Sequence, residues 1–220
     1  MRTRIITIDG PAGAGKTTVS KQLARELGCV YVDTGALYRG VAYEIHRRKI
    51  DWENDTALGA FLKTLDLGFV LKNGNLVLMS SGRDITAFIR TPEISMLASA
   101  TSARPKVRDA LLDIHRSIGA AKDAVFEGRD MGTVVFPNAA HKFFLFADLK
   151  VRAKRRFDEM DDQDKDIDTV ETLMGKRDKN DSTRAAAPLK PAEDAVKIDS
   201  SGLSVAQVVK KMLESIENAP

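Results

Sequence analysis

The chain has 220 residues, 43% of them hydrophobic, and 34 Lys and Arg against 31 Asp and Glu give a net charge of +3. This length suits one domain with a proper core, and so small a net charge does not indicate nucleic acid or a membrane surface as a partner. The single cysteine, Cys29, excludes an internal disulfide framework and fits a reducing compartment. Because no signal peptide or apolar run of about 20 residues is found, we expect a cytoplasmic protein.

The first predicted elements are a strand over residues 5–8 and a helix after a glycine-rich turn. Residues 10–17 between them read GPAGAGKT, which matches GxxxxGK[ST] between a strand and a helix; we call this segment the P-loop. Its glycines let successive backbone N–H groups point at phosphate oxygens, while Lys16 adds a cation and Thr17 a hydroxyl for Mg²⁺. A turn that only linked strand to helix would not need Lys followed by Thr. The motif therefore predicts binding of a nucleoside triphosphate.

Five short apolar runs, separated by helical patterns, predict parallel strands that are buried on both faces. They cover residues 5–8, 29–32, 124–126, 143–146 and 195–198. Strands that alternate with helices in this way predict an α/β fold with a doubly wound five-stranded sheet. We expect one domain over residues 1–220, in which residues 1–34 form the P-loop strand and helix of the core.

Residues 64–90 interrupt this alternation. Apolar runs over residues 67–71 and 76–79 flank Asn73-Gly74, which is the strongest short signal for a β-hairpin. A small antiparallel insertion on the α/β core is therefore predicted.

A second interruption is an acidic segment over residues 158–168. Its acids include Asp161, Asp162, Asp164 and Asp166. Like charges with little apolar content predict a mobile surface tip. Just before it, Arg152, Arg155 and Arg156 have the i, i+3, i+4 spacing of one helix face. We expect residues 151–168 to form a lid that brings arginines to a triphosphate, with a plain solvated basic face as the alternative.

Charged residues follow two of the predicted strands at the edge where ligands bind in doubly wound sheets. After the second strand come Asp33, Thr34 and Arg39, which we expect near the P-loop phosphates. The alternative, which is compatible with ligand binding, is that Asp33 or Thr34 caps the next helix. After the third come Arg129 and Asp130, flanked by glycines. Arg129 can grip a phosphate, and Asp130 can bind Mg²⁺ through water or accept from an exocyclic amine. The alternative is a local ion pair.

Arg177, Asp181 and Arg184 have the i, i+4, i+7 spacing that places residues on one side of a helix. Such a stripe is either a surface ion ladder, which contributes little to stability, or a site for phosphate and sugar hydroxyls. The spacing alone leaves both interpretations open.

Taken together, these segments resemble the bacterial cytidylate kinases over essentially the whole chain. The most specific is GRDMGTVVFP at residues 128–137, and the region 64–90 looks like an insertion of the longer bacterial members. The segments that carry the resemblance are residues 8–18, 33–39, 128–137, 177–181 and 184–189.

The resemblance implies transfer of the γ-phosphoryl group of ATP (or dATP) to CMP or dCMP with Mg²⁺, giving ADP and CDP or dCDP. By that likeness the helix with Arg152, Arg155 and Arg156 is the lid over the donor. The donor phosphates would be held by Gly10, Pro11, Ala12, Gly13, Ala14, Gly15, Lys16, Thr17 and Thr18. Some relatives have Gly where this chain has Thr17, so either Thr17, the predicted metal ligand, or Thr18 is the hydroxyl nearest Mg²⁺.

On the acceptor side the resemblance implies three groups of contacts. Cytosine would be read by Ser99, Arg108 and Asp130, with Thr34 beside them, where some relatives have Ser. The acceptor phosphate would be held by Arg39, Arg129 and Arg184. The sugar would be surrounded by Tyr38, Arg177 and Asp181. With Asp33 these residues form the predicted substrate set, and the predicted catalytic set is Lys16, Arg129, Asp130 and Arg184.

A kinase of this kind needs no base, because a nucleoside monophosphate has a second pKa of about 6 and is mostly dianionic at neutral pH. The scattered His46, His115 and His141 are consistent with that. Two other functions remain open: a kinase for another acceptor, such as UMP or dTMP, and a P-loop switch protein. A switch would not need arginines in three separate segments. We expect a monomer that acts on small nucleotides, with no nucleic-acid or membrane partner.

Overall fold

The computed structural model describes residues 3–72, 75–160 and 166–218. In chain order its elements are β1 (Ile5–Asp9), α1 (Lys16–Glu26), β2 (Val30–Asp33), α2 (Thr34–Arg48), α3 (Asp55–Lys63), β3 (Leu67–Lys72), β4 (Asn75–Ser80), β5 (Arg83–Asp84), α4 (Pro92–Thr101), α5 (Pro105–Ala121), β6 (Ala124–Gly128), β7 (His141–Phe146), α6 (Leu149–Asp158), α7 (Ile167–Thr183), β8 (Val196–Asp199) and α8 (Val205–Glu217).

The main sheet has the strand order β2-β6-β1-β7-β8. β1 is its central strand and pairs in parallel with β6 and β7, and β7 pairs in parallel with β8. Ile6, Ile8 and Val125 are completely buried, as expected for strands covered on both faces. All five predicted strands are present with ends shifted by at most two residues, so the predicted fold class is confirmed.

The chain divides into two compact units, which we describe separately. The first unit comprises residues 1–31 and 122–220. Its core forms where α1 and α8 cover the strands, with Leu23, Val208 and Met212 buried against Ile6. α8 begins with a capping box in which the Ser204 hydroxyl and the Gln207 side chain each bond the other's backbone N–H.

The second unit comprises residues 32–121. Its helices α2 to α5 accompany a three-stranded sheet in the order β3-β4-β5, and Leu37, Val41, Leu78 and Leu111 lie in one core. β3 and β4 form the predicted antiparallel pair, with Lys72 opposite Asn75. The predicted turn residues 73 and 74 lie outside the described residues. The two-residue strand β5 was not predicted.

α6 and α7 pack together on a small core of Ala153, Val170 and Met174. The predicted acidic tip falls between these helices, and its residues 161–165 lie outside the described part of the chain. Of the helices in that part, none combines the length and the apolar character that a bilayer crossing requires.

Candidate active site

The P-loop connects the buried β1 to the N-terminus of α1. Gly10 has a φ of +147°, and a Cβ there would lie 1.9 Å from the carbonyl oxygen of Leu145. Only glycine fits this close approach to β7. Gly15, at a φ of +86°, is the N-cap of α1 and offers no capping side chain. The N–H groups of the first turn of α1 are thus left for an anion at the loop.

Lys16 is the first residue of α1 and is only 4% exposed. Its Nζ donates to the carbonyl oxygen of Pro11, at 2.7 Å. Burial and the nearby guanidiniums of Arg129 and Arg177 lower the pKa of Lys16, while Glu127 raises it. A buried ammonium near guanidiniums is costly unless an anion joins it, so the electrostatics of this corner of the first unit favour an anion.

A carboxylate faces the start of the same helix. Glu127, at the carboxyl end of β6, accepts from the Thr17 hydroxyl at 2.9 Å and from the Tyr31 hydroxyl at 2.6 Å. Thr18, by contrast, is exposed. We gave Glu127 no role from the sequence. The available signal was its position, because the ends of neighbouring parallel strands meet at one edge of the sheet.

The loop after β6 is held by a second residue that the sequence analysis did not single out. Asp9, the last residue of β1, accepts from the backbone N–H of Met131 at 2.9 Å and of Gly132 at 2.8 Å. A Cβ at Gly132 would lie 2.9 Å from the Thr7 hydroxyl, so glycine permits this close approach. Gly132 lies within one wide π-type turn that the backbone makes over Met131–Val135. Burial raises the pKa of Asp9 to about 6, although both N–H bonds lower it.

Four predicted site residues of the first unit form one cluster. Arg129 donates from Nε to Asp181 at 3.1 Å, and Arg184 lies 3.9 Å from both Asp181 and Asp130. Asp130, Asp181 and Arg184 are nearly buried, so the alternative of a surface ion ladder does not apply. Arg184 follows α7 and anchors its Nε on the carbonyl oxygen of Ala187, rather than lying on the helix.

In the second unit, Asp33 has the capping role that the sequence offered, and its role toward phosphates stays a prediction. It caps α2 by accepting from Ala36 N, and its other oxygen accepts from Arg39 at 2.7 Å and from Arg90 at 3.2 Å. A Cβ at Gly35 would lie 2.8 Å from Nη1 of Arg39, so the lack of a side chain at Gly35 leaves room for this arginine. Arg90 was not predicted, because it is far from Asp33 in sequence and belongs to no recognised motif.

Two side chains lie near the aromatic ring of Tyr38 in this unit, and one of them is the predicted Arg108. The Arg108 guanidinium lies 5.5 Å from the centre of its ring, and the His115 ring lies at 6.1 Å. Thr34, at the start of α2, is buried. The inaccessible hydroxyl of Ser99 has no hydrogen-bond partner among the described residues. Such an atom fits a ligand contact.

The three arginines of α6 do not share one partner. Arg152 is buried and donates to the carbonyl oxygens of Ala147 and Ala12 and pairs with Asp178 at 2.7 Å. The two others contact different groups, Arg155 the backbone and hydroxyl of Ser200 and Arg156 the side chain of Glu159. A common exposed basic face is therefore not found here, and their role toward ATP stays a prediction.

The fold and the P-loop together indicate the class of protein. The chain resembles the shikimate kinase of Bacteroides thetaiotaomicron with a TM-score of 0.52 at 14% identity, over 97% of this chain and 98% of that one. An uncharacterized protein from Eubacterium ventriosum gives 0.55 at 14% identity, over 98% and 99%. At such identities the likeness shows the fold alone, which is that of P-loop kinases.

The family follows from sequence. The family model described as Cytidylate kinase matches residues 6–218, and the chain belongs to this family. The curated cytidylate kinase of Geobacter sulfurreducens is 46% identical over 98% of this chain and 93% of its own length. That of Syntrophotalea carbinolica is 44% identical over 98% and 92%, and that of Shewanella denitrificans 41% over 98% and 97%.

Proposed function

We propose that this protein transfers the γ-phosphoryl group of ATP to CMP or dCMP, giving ADP and CDP or dCDP. The observation that carries the proposal is the buried Lys16 of the P-loop, with Arg129 and Arg177 close enough to lower its pKa. A phosphate-binding loop joined to further guanidiniums suits two phosphorylated substrates. Membership of the cytidylate kinase family indicates which acceptor that is.

On the donor side, the P-loop N–H groups and Lys16 bind the β- and γ-phosphates. Lys16 donates to the Pro11 carbonyl oxygen, which is a neutral acceptor. A phosphate oxygen in its place would be a charged acceptor. An anion at this place favours the charged form of the ammonium, so binding of ATP raises the lowered pKa of Lys16 and keeps the side chain protonated.

Magnesium fits the oxygens found at the start of α1. Mg²⁺ prefers hard oxygen ligands and keeps several waters, and the Thr17 hydroxyl and Glu127 carboxylate are 2.9 Å apart here. We propose that Thr17 rather than the exposed Thr18 holds the ion, with Glu127 beside it. When bound, Mg²⁺ neutralises charge on the transferring phosphoryl group.

On the acceptor side, the first unit supplies Arg129 and Arg184 for the CMP phosphate, and Asp181 keeps both in place through its carboxylate. Arg177 and Asp181 would contact the sugar. Asp130 would accept from the cytosine 4-amino group.

The second unit supplies the other residues that we propose to contact the acceptor. Arg39 is a phosphate ligand, held by Asp33. Tyr38 is proposed for the sugar, and Ser99, Arg108 and Thr34 for the base. The Ser99 hydroxyl, for which the described part of the chain offers no hydrogen-bond partner, supports this assignment.

The chemistry requires positioning and charge neutralisation rather than a base. An oxygen of the CMP dianion attacks the γ-phosphorus, the bond between that phosphorus and the β–γ bridging oxygen breaks, and ADP leaves with the electron pair. Lys16, Arg129 and Arg184 hold the two anions in line and oppose their repulsion. No proton has to be removed, so the mechanism does not require a histidine among the residues assigned above.

We also propose that the protein works as a cytoplasmic monomer on small nucleotides, without a nucleic-acid or membrane partner. The small net charge of +3 supports the absence of a nucleic-acid or membrane partner. Light scattering after size-exclusion chromatography tests it, and a stable dimer would contradict the monomer.

The reaction itself is tested with ATP and Mg²⁺ against CMP, dCMP, UMP, dTMP and AMP, following ADP release. We expect kcat/KM for CMP to exceed that for UMP, because a carboxylate accepts from the cytosine amine but repels the uracil 4-oxygen. Loss of one bond to a charged group costs about 1.5–3 kcal/mol. Asp130→Ala should therefore narrow the gap by losing CMP activity. A wild-type preference for UMP, dTMP or AMP would overturn the assigned acceptor.

A further inference from the structure

Asp9 grips the loop after β6 with both oxygens of its carboxylate. Oδ1 accepts from Met131 N and Oδ2 from Gly132 N, at 2.9 and 2.8 Å, and the side chain is 4% exposed. These two hydrogen bonds, which we call the clamp, reach across from β1 to the residues that follow Arg129 and Asp130. Arg129 and Asp130 precede the two bonded N–H groups by one to three residues. The clamp therefore fixes the backbone from which both side chains extend.

This arrangement is costly for a purely structural contact. A buried carboxylate loses its hydration, and Asp130 adds a second negative charge nearby, while Lys16 of α1 partly compensates. From β7, Lys142 also approaches Gly132, but its ammonium is held by Asp194 and the Pro137 carbonyl oxygen. A neutral side chain of the same size would avoid this cost but would not satisfy both N–H groups.

We propose that Asp9 is a positioning residue for the acceptor: its ionised carboxylate holds the loop so that Asp130 and Arg129 are correctly placed for CMP. This rests on the proposed function. It assigns to the strand before the P-loop a role in acceptor binding rather than in ATP binding. Protonation of Asp9 releases one of the two N–H groups and weakens CMP binding.

The main test is Asp9→Asn, which keeps the size of the side chain. Its amide oxygen accepts one N–H, but its NH₂ group faces the other. We expect KM for CMP to rise about ten-fold, in line with one lost bond to a charged group, while KM for ATP changes less than about two-fold. Thr7→Val is the matched control, because Thr7 is buried against the same loop outside the clamp. Equal rises in both KM values would overturn the proposal.

The pH profile supplies a readout that a merely structural role would not move. Burial raises the pKa of Asp9 to about 6, so the wild-type clamp weakens below that pH. The Asn variant has no ionisable group at this position, so its clamp does not change with pH. The ratio of wild-type to variant kcat/KM for CMP should therefore be largest near pH 8 and shrink toward pH 5. Ionisation of CMP itself cancels in the ratio. A ratio independent of pH would contradict the clamp.

Amide hydrogen exchange separates this proposal from the proposed function. In Asp9→Asn we expect faster exchange at Met131 and Gly132 and unchanged exchange in α8. This readout needs no substrate, so unchanged exchange at the two amides would refute the clamp whichever acceptor is used. A wild type that does not phosphorylate CMP would instead refute the function while leaving the exchange result intact.

Discussion

Lys16 shows how folding of the first unit brings positive charges together at a site where an anion would stabilise them. The side chain is buried, its closest acceptor is a neutral carbonyl oxygen, and two guanidiniums lower its pKa. In the protein without substrate these cations repel one another. We expect bound phosphates to relieve that repulsion, so that binding and catalysis use charge that folding has already brought together.

The first prediction concerns this charge. Lys16→Met should lower kcat by about 10²–10³-fold, the usual cost of losing one preorganised donor at a site of developing charge. The fold should survive, because a buried cation is replaced by an apolar chain of similar length. Arg25→Met, at an exposed position of the same helix, should leave kcat unchanged. Normal turnover in folded Lys16→Met would rule out the P-loop as donor site.

The second prediction concerns Glu127 and magnesium. Glu127→Gln keeps the shape but removes the charge beside Thr17, so the Mg²⁺ concentration for half-maximal activity should rise about 10-fold or more, as for other residues that support a metal ligand. Tyr31→Phe keeps the carboxylate and should shift this concentration far less. Excess EDTA should abolish turnover in all three proteins. An unchanged magnesium requirement in Glu127→Gln would remove Glu127 from the metal site.

At the scale of elements, α6 shows where sequence periodicity stops being informative. The i, i+3, i+4 spacing correctly groups Arg152, Arg155 and Arg156 on one helix. It cannot show what that side packs against, and the first of the three is buried on the P-loop carbonyl of Ala12. Arg152 therefore ties α6 to the P-loop and, through Asp178, to α7.

The third prediction tests the lid assigned to residues 151–168. If closure excludes water from the reaction, cleavage by an added protease between α6 and α7 should slow when a non-hydrolysable ATP analogue and CMP are present together. Either ligand alone should protect less. The α8 region serves as an internal control, since its cleavage should not respond. Equal cleavage between α6 and α7 with and without both ligands would indicate a plain linker.

At the scale of the whole molecule, the sequence predicted what depends on local pattern. The five strands, the antiparallel pair of β3 and β4 and the P-loop follow from apolar runs, turn residues and a motif with fixed spacing. Asp9, Glu127 and Arg90 were missed because their roles arise from contacts with residues far along the chain. Such contacts depend on which strands are neighbours, and the order β2-β6-β1-β7-β8 was not predicted.

Two buried groups give the stability of the molecule opposite dependences on pH. Burial and Arg108 lower the pKa of His115 to about 4, and burial raises the pKa of Asp9 to about 6. Between pH 6.5 and 4 the unfolded chain therefore binds a proton at His115 that the folded protein does not bind. The free energy of unfolding falls with acidification for this reason. At Asp9 the folded protein binds the extra proton between pH 6 and 4, so stability rises with acidification.

The fourth prediction isolates the histidine. Between pH 7 and pH 5 the His115 contribution to the free energy of unfolding should fall by about 2 kcal/mol, given ordinary and folded pKa values of 6.5 and about 4. His115→Gln removes this loss, so the free energy of unfolding of the variant should fall between pH 7 and pH 5 by about 2 kcal/mol less than that of the wild type, whatever its stability at pH 7. Urea unfolding at both pH values measures the difference. The same pH dependence in both proteins would mean that His115 takes up its proton in the folded state as readily as in the unfolded chain.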